Sequence, residues 1–408
     1  MRHLLTFALF AASPLAAQAP AAVVPPPSSA VKKAAATITA PDVARRVNII
    51  ADDSMMGRDT PSPGLDMTAQ YVADQFKSFG LKPGGENGTW FQRYDILQVQ
   101  FDPAESHVGF MAGGKHVHAE FATDARFMGG TTPDKEIGGP VVVLGGKPNR
   151  DALAGMDATG KVVVVVMDYS KGPTAGGMGQ MIGAVYALHP LGVVILSNRD
   201  SAGWANRMKA PYRPGIRLAG AEGRPPVVEV NDAALASVLA AGGVDVAKIR
   251  ADTSMVVVAD PGLKVMIDLK ETVLKQSSAP NTIGILEGTD PKLRHEYLVY
   301  SAHMDHVGIA SGKPDSIHNG ADDDASGTVG VVELAEAFSR PGARPKRSIL
   351  FITVSGEEKG LWGSNYFVNH PTVPLKDMVA DINLDMIGRN WPDTIVAIGR
   401  EHSDLGKT

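Results

Sequence analysis

Residues 297–327 read YLVYSAHMDHVGIASGKPDSIHNGADDDASG, an apolar run that ends on His303, then a glycine-flanked acidic cluster. The segment that follows, 327–338, places Val331, Leu334, Ala335 and Phe338 on one helical face. Two more strand candidates come next, SILFITV at 348–354 and VADINL at 379–384. Continuous apolar runs such as Ile349-Leu350-Phe351-Ile352 belong to strands covered on both faces. Strand, helix, strand and strand in this order predict an α/β fold with a mostly parallel central sheet. Each strand leads into ligand-type residues: His303-Met304-Asp305-His306, Glu357-Glu358 and Asp385. The acidic triplet Asp322-Asp323-Asp324 sits just before the helix. Open α/β sheets bind ligands beyond the carboxyl ends of their strands, so these four segments are expected to converge on one rim.

Residue type narrows the chemistry. The chain has 408 residues and no cysteine, which excludes disulfides, thiolate metal sites and a cysteine nucleophile. Imidazole and carboxylate without sulfur suit zinc or a similar divalent ion in a catalytic role. His303 and Asp305 are two apart and point the same way on extended backbone, so one can ligate while the other orients it. Glu357 and Glu358 are adjacent and cannot aim at one point, which divides metal binding and proton transfer between them.

Outward from this region the chain is globular in composition, 44% hydrophobic and 20% charged, with 44 Gly and 28 Pro. A formal charge of −5 gives no basic footprint for nucleic acid. The start, MRHLLTFALFAASPLAAQA, has Arg2, an apolar core at 4–12 and a small-residue Ala17-x-Ala19 pattern, and reads as a secretory leader over 1–19. That core falls short of the ~20 residues a membrane span needs, so neither membrane insertion nor a nucleic-acid partner is expected. Residues 20–36 are Pro/Ala/Ser-rich and read as a flexible linker. Thr39 is placed to cap a helix beginning with Pro41 and Asp42, and a second helix follows with Ala69, Val72, Ala73, Phe76 and Phe79 on its core face and Gly80 as its stop. Between 105 and 270 the texture changes to β-branched runs (141–144, 162–167, 193–196, 255–259) with one or two helices at 181–188 and 233–240. His107, His116, His118 and His189 are too scattered in that region to define a site.

HMDHVG, NGADDDASG, SGEEKGLWGS and INLDMIG resemble the motifs of the co-catalytic zinc aminopeptidases, the exported leucyl-aminopeptidase type related to glutamate carboxypeptidase and the transferrin receptor. The segment MMGRDTPSPGLDMTAQYVADQFKSFGLKPGG is similar to that family's N-terminal helices. The resemblance implies a three-layer zinc-exopeptidase fold: an N-terminal part at 37–104, a smaller β-rich protease-associated insert at 105–270, and a catalytic domain at 271–408. It further implies two zinc ions. Asp323 would bridge them, His303 and Asp385 would complete one ion's protein ligands, and Glu358 would serve the other. Asp305 would orient His303, Glu357 would be the general base, and the Asp323–Asp324 bond would be cis. His306 and His318 receive no ligand role and are expected to do supporting or loop duty. The family's fifth ligand is a histidine far downstream of Asp385. Here His402, in REHSDLG, resembles a helix start instead, so a C-terminally incomplete sequence and an incomplete second site are expected. The implied activity is exported, periplasmic or extracellular removal of N-terminal residues from peptides. A carboxypeptidase of the same fold, a non-catalytic binding relative and a glutaminyl-cyclase-like transferase are the rival readings. Oligomeric state and side-chain preference are not written in the residues.

Overall fold

Two helices, α1 (Ser29–Ala35) and α2 (Ala40–Ile50), open the part of the chain that the computed structural model describes. It describes residues 26–402 apart from 122, 147–149, 171–176, 221, 222, 253, 313, 392, 393, 400 and 401. The expected leader at 1–19 lies outside the described residues. Helix α1, capped by Ser28, falls within the stretch read as a flexible linker, where Ala and Lys favour helix once a cap is present. Thr39 caps α2 as expected, its hydroxyl accepting the Asp42 N–H. Helix α3 (Pro63–Ser78) buries Ala69, Val72, Ala73 and Phe76, and Gly80 follows it at a φ of +79°. The chain then passes through β1 (Lys82–Pro83) into β2 (Phe91–Ala112).

The chain divides into two units, Met1–Gln92 with Pro280–Thr408, and Arg93–Ala279. The middle unit contains β3 (Lys115–Glu120), β4 (Ala125–Gly129), β5 (Ile137–Gly145), β6 (Val162–Val166), α4 (Gly177–Tyr186) and β7 (Gly192–Ser197). After these come α5 (Ser201–Lys209), β8 (Gly215–Leu218), β9 (Val227–Asn231), α6 (Ala236–Ala241), α7 (Val246–Ala251) and the start of β10 (Val256–Leu286). Strands β5, β6, β7 and β9 run parallel in that order. Their valines alternate between two cores: Val141, Val162 and Val164 on one face, Val142, Val163 and Val165 on the other. Four helices among the described residues correct the expectation of one or two. A valine-rich strand buried on both faces needs cover on both.

The other unit carries the segments on which the fold was read. Strands β11 (Tyr297–His303), β12 (Ser348–Val354) and β13 (Met378–Asn383) are mutually parallel in the order β13–β11–β12. Residues 282–286 of β10 add antiparallel to β12, and β1 adds to β10. Helices α3 and α8 (Gly327–Ser339) cover one face through Val72, Phe76, Val331, Val332 and Ala335 against Ala302, Ile349 and Phe351. Helix α9 (Trp362–Asn369) covers the other through Phe367 against Ile283, Val299, Leu350 and Ile352. The result is a three-layer α/β arrangement. Among the described residues, no helix is long and apolar enough to cross a membrane.

Candidate metal centre

Parallel pairing brings the three strand ends to one rim. His303 is the last residue of β11 and lies opposite Val354 at the end of β12, while Ser301 lies opposite Asn383 at the end of β13. Beyond β12 the backbone turns at Gly356, with φ at +70°, and Asn281 holds that turn to α9: Ser355 N–H donates to its side chain, which in turn donates to Gly363 O. The Glu357 N–H donates to Asp305 Oδ1 at 3.2 Å, so the loops after β11 and β12 are joined directly.

Two side chains without an assigned role hold the rim together. Asp324 is fully buried and accepts three backbone N–H groups: His303 at 3.2 Å, Gly327 at 2.8 Å and Met386 at 3.1 Å. It therefore ties the end of β11, the start of α8 and the loop after β13. Burial pushes its carboxyl up to about 8, against the pull of His303 and of the Gly327 and Met386 N–H groups. Arg58, also fully buried, donates to four carbonyls, those of Met304, Ile50, Asn319 and Gly320, at 2.6–2.9 Å. Burial lowers its guanidinium to about 10, opposed by Asp305, Asp324 and Asp323. The His306 N–H donates back to Arg58 O, so Arg58 grips the segment carrying His303 and His306 from both sides. Arg58 lies in the quoted N-terminal motif, but only the fold shows that it reaches this rim.

Ligand-type atoms gather in two groups, each within 4.8 Å: His303, Asp324 and Asp385, and His306, Asp323 and Glu358. Asp323 faces both. Its Oδ1 lies 3.2 Å from His303 Nε2, and its Oδ2 lies 3.9 Å from His306 Nδ1. His303 Nε2 lies 3.8 Å from Asp385 Oδ1, and His306 Nδ1 lies 2.8 Å from Glu358 Oε1. The Asp323–Asp324 peptide bond is cis. Both oxygens of Asp324 are occupied by N–H groups, whereas Asp323 is about a third exposed and its two oxygens point to different groups.

The donor set fits a divalent metal. His306 Nδ1, Glu358 Oε1 and Asp305 Oδ2 are buried without a hydrogen bond. The separations of 2.8–3.9 Å bracket what two ligands each about 2 Å from one tetrahedral ion would show. Burial pulls the His303 imidazole down, yet the carboxylates of Asp305, Asp324 and Glu357 carry it up to about 9.

Two expectations change at this point. His303 Nδ1 makes its hydrogen bond with the backbone carbonyl of Asp305, at 3.1 Å, while the Asp305 carboxylate lies at 3.8 Å. The Asp305 main chain, rather than its carboxylate, reaches the ring, and its Oδ1 accepts the Glu357 N–H. His306, expected to do supporting or loop duty, stands inside the second group. His318 serves through its backbone, its N–H donating to Gly308 O, and exposed His402 joins neither group.

Glu357 lines a cavity of about 550 Å³ together with His303 and Asp385. The rest of the lining is mainly apolar, from Ile352, Leu361, Phe367 and Met378 among others, and its charged side chains other than His303 are all carboxylates. Burial raises the Glu357 carboxyl, His303 opposes the shift, and Glu358, Asp305 and Asp385 add to it.

Residues 281–407 match the family described as Peptidase family M28. Aminopeptidase YwaD of Bacillus subtilis (strain 168) is 33% identical over 126 residues, 30% of this chain and 25% of that protein. Leupeptin-inactivating enzyme 1 of Streptomyces exfoliatus is 35% identical over 117 residues, 28% of this chain and 24% of that protein. The matched part of the chain thus spans about a quarter of the length of these relatives. Among solved structures, an aminopeptidase from Aneurinibacillus sp. strain AM-1 superposes with a TM-score of 0.41 at 19% identity, covering 88% of this chain and 73% of that one.

Proposed function

With residues 281–407 matching peptidase family M28, we propose that the chain is a zinc-dependent aminopeptidase of that family whose site holds two ions bridged by Asp323. The observation that carries this reading is the pair of histidine–carboxylate groups meeting at Asp323, with Glu357 in the adjoining cavity. His303 and Asp385 would hold one ion, Glu358 the other, and Asp323 both. When bound, the metal supplies Lewis acidity toward the scissile carbonyl and toward water.

The chain's own residues do the rest. Asp324 and Arg58 set the spacing of the ligand-bearing loops. Asp305 fixes the Glu357 backbone through its N–H and the His303 ring through its carbonyl. Glu357, with its carboxyl raised by burial, takes a proton from water and returns it to the leaving amine. A cavity whose acidic side chains are Glu357, Asp381 and Asp385 and whose lining, among the described residues, has no Lys or Arg favours a substrate ammonium over a substrate carboxylate. This supports release from the N-terminus. The reading includes export through the segment at 1–19 and a protease-associated role for the middle unit.

Aminoacyl p-nitroanilides and short peptides test the activity. Release of N-terminal residues, lost with a chelator, restored by zinc and absent on N-acetylated peptides, is the expected result. Cleavage from the carboxyl end would overturn the polarity, and no chelator-sensitive release would overturn the enzyme reading. Glu357→Ala should keep its metal and lose roughly 10²–10⁴ in kcat. Full activity in that variant would remove Glu357 from the mechanism.

A further inference from the structure

Building on the two-ion reading, we propose that His306 is itself a metal ligand, binding the second ion through Nδ1 beside Asp323 and Glu358. Three observations place the ring for this task. Its Nδ1 lies 2.8 Å from Glu358 Oε1 and 3.9 Å from Asp323 Oδ2, either side of the roughly 3.3 Å between two ligands of one tetrahedral ion. Both His306 Nδ1 and Glu358 Oε1 are buried and lack a hydrogen bond, although they are close enough for one, so their mutual alignment is wrong for N–H donation. Two buried polar atoms left in this state are costly unless a third party satisfies both.

The third observation is the seat. Gly320 takes a φ of +56°, and a Cβ there would sit 2.6 Å from His306 Cγ and Cδ2. The ring rests against bare backbone, while the His306 N–H is held by Arg58 O. Gly320 belongs to the loop that leads into Asp323, so the element carrying the bridging carboxylate also sets the ring. Among the described residues, no other histidine joins that group.

The rival role for His306 is a hydrogen-bond donor that merely orients Glu358. Side-chain geometry separates the two. Oδ1 of Asp or Asn stands the same two bonds from Cβ as Nδ1 of His. Aspartate can replace a ligand there but would repel Glu358, whereas asparagine can replace a donor.

The test titrates zinc into the metal-free full chain and its variants, counting ions per chain and following Co²⁺ absorption as a second signal. Wild type should take two ions. His306→Ala should keep one and bind the second at least ~100-fold more weakly, beyond the usual range for an outer-shell partner. His306→Asp should bring the second ion back, and His306→Asn should not. Two ions of unchanged affinity in His306→Ala, or rescue by Asn rather than Asp, would overturn the ligand role and leave the two-ion reading intact. A wild type that takes a single ion would instead sink the two-ion reading, and this inference with it. The Asp variant keeps the test decisive if His306→Ala folds poorly.

Discussion

Asp324 shows how much one side chain can organise. Three N–H groups from three ligand-bearing segments converge on its carboxylate, in a place where burial opposes charge. The three donors favour the ionised form, since each stabilises negative charge at hydrogen-bond distance. Asparagine has the same shape but one acceptor oxygen, so Asp324→Asn must set an amide NH₂ against at least one of those N–H groups. The expected cost is about 1–3 kcal/mol of stability per bond lost, read from urea unfolding of the metal-free chain at a pH above 8, where the carboxyl is ionised. An unchanged midpoint would mean that the native carboxyl is already protonated. Arg58 is the complementary case, a buried cation that spends four of its five N–H donors on carbonyls of the segments it joins.

At the scale of elements, α2 docks on α8 through ions. Arg46, almost fully buried, meets Glu333 at 2.7 Å and Glu336 at 2.5 Å, and its guanidinium lies 5.4 Å over the Phe79 ring. Burial raises the Glu333 carboxyl while Arg46 opposes the shift. Arg46→Ala would strand a buried carboxylate, and a loss of about 3–5 kcal/mol is expected. Replacing both members by apolar residues, Arg46→Met with Glu333→Leu, should recover most of that, because the desolvation cost disappears with the charges. Chemical denaturation of the two variants side by side checks the pair. A double variant no better than Arg46→Ala would show that the bridge itself, and not relief of an unpaired charge, sustains the α2–α8 contact.

At the scale of the molecule, every ligand-type residue of the two groups lies in the unit formed by Met1–Gln92 and Pro280–Thr408. Metal that binds only the folded form stabilises the unit that holds it, by about 2.7 kcal/mol per site when the ion is at 100 times its Kd. Calorimetry with zinc or with a chelator should therefore show one transition moving by roughly 10–20 °C for two filled sites, at about 2–4 °C per kcal/mol, with the transition of the Arg93–Ala279 unit staying in place. Equal movement of all the heat absorbed would mean that the two units unfold as one.

The sequence by itself determined the strands and the helix that build the rim. The β-branched run at 348–354 and the helical spacing at 327–338 are local patterns, and the structure reproduces both to within a residue. It also determined which residue types meet there, because a motif such as NGADDDASG states its donors outright. Three things needed the tertiary structure. Which acid of the triplet faces the two histidines depends on N–H groups supplied to its neighbour Asp324 by Gly327 and Met386. Arg58 is 246 residues from Met304, a separation that no periodicity spans. The aim of His306 is decided by contact with Gly320, not by its place next to Asp305. Hydrophobic spacing is a short-range signal, whereas the direction of a ligand atom is set by whatever the fold packs against it.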